Sequence, residues 1–131
     1  VREETLPYNI NHIHLKSSDP KTAADWWVEA FNFTIENDAV RDIGDRFIRC
    51  RSEDGLTVNI SSERTDEVLG AGDASAHLGL EHFGLDSDDL EADIARLEGL
   101  GAKLVDGPRG DGPRICFLHC PGDVRIELIQ Q

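Results

Sequence analysis

Three side chains from well-separated stretches are of the types that share a metal ion: His12, His82 and Glu127. Two neutral imidazoles and one carboxylate leave coordination positions open. That suits one divalent transition ion (Fe, Mn, Co, Ni or Zn) that must also bind water or a substrate. A fourth group, His14, stands two residues past His12 in NINHIHLKSSD. If this stretch is a strand, its period of two puts both imidazoles on one face, about 7 Å apart. That distance is awkward for joint chelation. It still allows an imidazole, which titrates near neutrality, to move a proton to or from a metal-activated substrate. The expected catalytic residues are therefore His14 and, next in line, His119; Cys116, of opposite parity on the same stretch as His119, should pack inward. His77 falls at the end of a linker. Glu127, between Ile126 and Leu128, is costly to bury unless paired or coordinated, which favours a ligand role.

The elements that position these residues recur in two similar halves. Asp19-Pro20 reads as a helix start, Asp at the N-cap and Pro at the first helical position. Ala24, Trp27, Val28 and Phe31 then follow at helical spacing, and Asn32 marks the end. Strands are predicted at 33–37, 46–51 and 56–61, with Gly44 and Asp54-Gly55 as turns. Residues 63–76 are polar, contain Gly70 and Gly72, and read as a linker. The order then repeats. A strand is predicted over 77–85, and Ser87-Asp88-Asp89 caps a helix bearing Leu90, Ile94, Leu97 and Leu100, stopped by Gly101. Strands follow at 102–105, 115–119 and 124–129, with 106–113 as a Gly/Pro-rich loop. Each half is β-α-β-β-β: module 1 about 8–62, module 2 about 77–131, together one domain. His12 and His82 feed their helices from equivalent places. Asn59 in TVNI and Glu127 in RIEL match on the last strands. A pseudo-symmetric cleft between the halves would receive His12, His82 and Glu127 from three strands.

The chain's 131 residues suffice for one compact domain with a real core. Its 26 acidic against 13 basic residues, a formal charge of −13, argue against nucleic acid, whose phosphates need a basic surface. No apolar run approaches the length of a membrane span and no signal-peptide pattern opens the chain. The three cysteines, Cys50, Cys116 and Cys120, fit no zinc-finger or redox spacing. Free thiols in a reducing cytoplasm are the simplest account.

Three stretches, NHIHLKSSDPKTAADWWVEAFNF, EHFGLDSDDLEADIARLEGLGAKL and PGDVRIELIQ, together resemble the vicinal-oxygen-chelate superfamily. It comprises glyoxalase I, methylmalonyl-CoA epimerase, fosfomycin-resistance enzymes, extradiol dioxygenases and bleomycin-resistance proteins. The resemblance implies an α+β fold of two βαβββ modules curling around a metal cleft with helices outside. It implies one divalent metal on His12, His82 and Glu127, a small substrate with adjacent oxygens, and a homodimer, to which Trp26, off the main helical stripe, would contribute. Asn59 stands where glyoxalase I has a fourth ligand, a Glu; methylmalonyl-CoA epimerase carries an amide there. Extradiol dioxygenases have a Tyr near the place of Phe117, whereas the one tyrosine here is Tyr8. The acidic balance gives no support for a phosphonate site. Acidity suits a bleomycin-binding protein, but the intact triad does not. The resemblance thus implies a metal-dependent lyase or isomerase, with Fe(II) ring cleavage second and non-catalytic sequestration third.

Overall fold

A computed structural model describes residues 8–131. It divides into two compact units, the first ending at Val68 and the second Leu69–Gln131. In the first, β1 (His12–Lys16) leads into α1 (Pro20–Phe31), followed by β2 (Thr34–Val40), β3 (Arg46–Arg51) and β4 (Thr57–Ser61). The sheet order is β1-β4-β3-β2, with β1 parallel to β4 and the other pairs antiparallel. The second unit repeats the plan with β5 (Phe83–Asp86), α2 (Leu90–Gly99), β6 (Lys103–Arg109), β7 (Arg114–Cys120) and β8 (Val124–Gln130), ordered β5-β8-β7-β6. Two open four-stranded sheets, each carrying one helix, thus realise the expected pair of βαβββ modules.

Local chemistry explains the helix ends. Asp19 Oδ1 accepts from the Thr22 backbone N–H at 3.2 Å and its Oδ2 from Thr22 Oγ at 2.8 Å. Two first-turn donors are thereby engaged, while Pro20 needs no partner. Asn32 closes α1 in the left-handed conformation, φ 59°. Beneath α1, Ala24, Trp27 and Ala30 are buried, and Trp27 stacks on Phe31 and Phe33 with centroids 5.4 and 5.5 Å apart. Beneath α2 lie Leu90, Ile94 and Leu97. Each large side chain so buried contributes about 1.5–3 kcal/mol. Ile48, Cys50, Val58 and Ile60 complete the first core; Cys116, Leu118, Ile126 and Leu128 complete the second.

The structure differs from the sequence expectations at three places. No strand covers 77–82, and β5 begins at Phe83. There Gly79 takes φ 96° and the His77 ring bridges two carbonyls, Ser75 O at 2.8 Å and Leu80 O at 2.9 Å, so the backbone turns rather than pairs. Within the expected Ser87-Asp88-Asp89 trio the cap of α2 is Asp89: its carboxylate accepts from Ala92 N, while Ser87 Oγ donates to Asp93. β6 runs through the expected loop to Arg109, because two register shifts let Gly107 and Pro108 pass without ladder bonds. β2 likewise extends to Val40 past a shift between Ile35 and Asn37.

Candidate functional site

In the first unit the helix covers one face of the sheet and the other face is open. Along β1 exposure alternates, with His12, His14 and Lys16 exposed and Ile13 and Leu15 half-buried. Register carries the open face across the sheet in rows: His12–Thr57–Arg51, His14–Asn59–Arg49 and Lys16–Ser61–Phe47. Asn11, His12, Glu36, Phe47, Arg49, Arg51, Thr57 and Asn59 line a concave pocket of about 610 Å³ there.

His12 Nδ1 lies 2.8 Å from Asn11 Oδ1 and must donate to it, since the amide oxygen only accepts. In the neutral ring Nε2 then carries the lone pair a metal needs, and the second nitrogen is held as in metal-binding histidines. His14 Nε2 lies 2.7 Å from Ser61 Oγ, and its ring meets Phe47 edge-on at 5.5 Å. Burial, followed by the positive charge of Lys16, lowers its pKa below the ordinary imidazole value. The neutral ring is the form that accepts a proton.

In the second unit Gly84, Glu127 and Phe117 form one row of the open face, with Arg125 and His119 paired in the next. His82 sits just ahead of β5. Its Nδ1 lies 3.1 Å from Glu81 Oε1 and its Nε2 3.3 Å from Glu127 Oε1. Both neighbours are carboxylate acceptors. With Nδ1–H given to Glu81, a neutral ring would aim the Nε2 lone pair at the oxygen of Glu127. With its proton on Nε2 instead, the ring donates to Glu127; in the first tautomer the Nε2 lone pair is free for a metal ion beside the carboxylate. The donor set therefore fits a divalent ion for His82 and Glu127. Among the described residues no group of three or more His, Cys, Asp or Glu side chains is gathered to hold a metal ion. The structure brings together the His82–Glu127 pair, and His12 occupies the open face of the other unit.

His119 is half-buried, and its Nε2 is buried without a hydrogen-bond partner. Arg125 lies with Cζ 4.7 Å above the Phe117 ring, which also meets the His82 ring edge-on at 5.0 Å. Cys116 is fully buried on the helix side and burial pushes its thiol pKa up. Cys50 and Cys120 are pushed up to about 11 and about 12, so none of the three is poised as a nucleophile. The two carbonyl partners of His77, Ser75 first, raise its pKa.

Sequence reasoning missed Arg49, Arg51, Phe47 and Glu36. The signal was present in RFIRCR, whose alternation puts Phe47, Arg49 and Arg51 on one face and Ile48 and Cys50 on the other. Glu36 carried no signal, because it reaches the pocket through the register shift in β2.

A profile of the glyoxalase-like domain matches residues 12–129. The chain belongs to the glyoxalase-like domain family. No curated protein sequence matches it. Solved structures with the same fold include a glyoxalase family protein from Bacillus cereus, 16% identical, covering 99% of this chain and 98% of its own, with a TM-score of 0.84. The fosfomycin resistance protein FosX from Listeria monocytogenes, complexed with Mn(II) and sulfate, is 14% identical over 96% of this chain and 94% of its own, TM-score 0.71. TnmS3, an antibiotic-binding protein from Streptomyces sp. CB03234, is 22% identical over 97% and 98%, TM-score 0.67. The glyoxalase-like fold thus serves both a metal-bound resistance protein and an antibiotic-binding protein. Among the described residues of this member, no helix is long and apolar enough to cross a membrane.

Proposed function

We propose that this glyoxalase-like protein is a metal-dependent lyase or isomerase acting on a small substrate with adjacent oxygens. The carrying observation is the His82–Glu127 pair, an imidazole nitrogen and a carboxylate oxygen 3.3 Å apart, which are the donor types a divalent ion takes. His12, with Nδ1 engaged and Nε2 available, is the third donor assigned from its matching position in the first module. When bound, the metal supplies Lewis acidity, polarising a carbonyl so that the adjacent C–H becomes acidic. The chain's own residues do the rest. His14, oriented by Ser61 and Phe47, accepts a proton at a ring nitrogen, and His119 is the second candidate. Glu81 Oε1, 3.1 Å from Nδ1, is placed to hold His82 in the tautomer that ligation through Nε2 requires. Mn(II) is the ion to try first, since FosX was solved with it.

The test is deuterium uptake in D2O at carbon next to the carbonyl of 2-hydroxyketones and 2-oxo acids, read by mass spectrometry with and without Mn(II). Metal-dependent exchange supports the proposal. Oxygen uptake with catechols on anaerobically Fe(II)-loaded protein, without exchange, would replace it by ring cleavage. The homodimer expected from the resemblance is checked by sedimentation at micromolar concentration.

A further inference from the structure

The net charge of this chain is −13, yet two guanidinium groups, Arg49 and Arg51, line the pocket of the first unit against one carboxylate, Glu36. Arg51 is engaged: its Nε bonds Glu36 Oε2 at 2.9 Å and its Nη1 the Gly55 carbonyl at 2.9 Å. Among the described residues, Arg49 is held only by a 3.8 Å ion pair from Nε to the other oxygen of Glu36. Its planar fork is thus left for an external acceptor, and such forks match carboxylate and phosphoryl oxygens two at a time.

A second, independent observation lies directly beside it. Asn59 pairs with Arg49 across β3 and β4, is 8% exposed, and has an Oδ1 that is buried without a hydrogen-bond partner. Buried amide oxygens are rarely left so, because desolvation without a partner is costly. An amide oxygen only accepts, so its missing partner is a donor such as a hydroxyl. Phe47 adds an apolar wall, and about 610 Å³ is the size of a small-molecule site.

We propose that this pocket binds a small molecule bearing an oxyanion group next to a hydroxyl, with Arg49 taking the oxyanion and Asn59 Oδ1 the hydroxyl hydrogen. The inference rests on the proposed function only in taking the pocket as the substrate's; it does not need the metal.

Its test therefore uses full-length protein dialysed against EDTA. Mandelate carries a carboxylate, a neighbouring hydroxyl and an aromatic body; mandelamide is its neutral analogue, and phenyl phosphate replaces the carboxylate by a phosphoryl group. Binding is followed through the Asn59 side-chain amide and Arg49 Nε–H resonances. Mandelate should shift both saturably, and mandelamide should bind about tenfold more weakly or worse. Arg49→Gln should weaken mandelate about tenfold while leaving mandelamide unchanged, with circular dichroism showing an unaltered fold. Phenyl phosphate has no neighbouring hydroxyl for Asn59, so its binding where mandelate fails overturns the paired site even if it depends on Arg49. Equal binding of mandelate and mandelamide, no response to either anion, or an Arg49→Gln variant that binds anions normally overturns the proposal. Failure of the metal reading is separate: it shows as untreated protein that binds no Mn(II), and it leaves these measurements unaffected.

Discussion

The two open sheet faces are built on one plan and furnished differently. His12 and His82 each stand seven residues before their helix caps, Asp19 and Asp89. His14 faces Asn59 across parallel strands as Gly84 faces Glu127, and Arg49 faces Asn59 as Phe117 faces Glu127. The second unit has therefore put a carboxylate beside an aromatic ring where the first has an amide beside a guanidinium. A carboxylate and imidazole suit a cation; a guanidinium and amide suit an oxyanion and its hydroxyl neighbour. The scaffold fixes positions, and on the proposed reading residue type at matched positions divides the labour.

The comparison is sharpest at His14, whose counterpart, Gly84, has no side chain at all. His14→Gln should retain metal and fold yet lose roughly 10²–10⁴-fold in turnover. Unchanged turnover would make His14 a rim residue held by Ser61 and pass the role to His119. A smaller effect compares the cores. Trp27 beneath α1 matches Leu97 beneath α2, both fully buried or nearly so. Trp27→Ala should cost about 3–5 kcal/mol and Leu97→Ala about 2–5 kcal/mol in urea unfolding. A Leu97→Ala cost clearly above that of Trp27→Ala would break the equivalence of the two packing layers.

The smallest effect compares an ion pair in the turn after β2 with one near the end of β6. Asp45 has no accessible surface and takes Arg41 through two bonds of 2.8 and 2.6 Å, whereas Asp106 and Arg109 form a largely exposed pair. Asp45→Asn should cost about 1–3 kcal/mol, and Asp106→Asn markedly less, because water screens an exposed pair. The Arg41 hydrogen bond holds the Asp45 carboxyl below its ordinary value of 3.8. A depressed folded-state pKa means the unfolded chain takes up the proton first. The stabilisation is fully present above about pH 4 and is lost as pH falls through the lower folded value. The gap between wild type and Asp45→Asn should accordingly close below pH 4. A gap independent of pH would deny the charge its role.

Much of this was legible in the sequence because it rests on local chemistry. The Asp19-Pro20 start, the apolar spacing of Ala24 and Trp27, and the alternation of β1 each reflect interactions within a few residues. The repeat of His12 at His82 and of Asn59 at Glu127 needed only counting. What stayed hidden depends on partners distant in the chain. Residues 77–82 alternate well enough for a strand, but the His77 ring draws the backbone into a turn. Gly107 and Pro108 read as loop, yet the neighbouring β7 draws β6 through them. The orphaned oxygen of Asn59 and the loosely held fork of Arg49 exist only once β3 and β4 are paired.

The division of labour between the two faces is tested most directly by metal stoichiometry and affinity in matched variants. Mn(II) binding should be measured by equilibrium dialysis with elemental analysis for wild type, His12→Ala, His82→Ala, Glu127→Ala and Asn59→Ala. One ion should bind the wild-type chain. Loss of any of the three proposed ligands should weaken it at least about 10²-fold, while Asn59→Ala, altering the matched position in the other module, should bind as wild type does. Wild-type binding in both His82→Ala and Glu127→Ala, or loss confined to Asn59→Ala, would contradict the assignment of the metal to the carboxylate-bearing face.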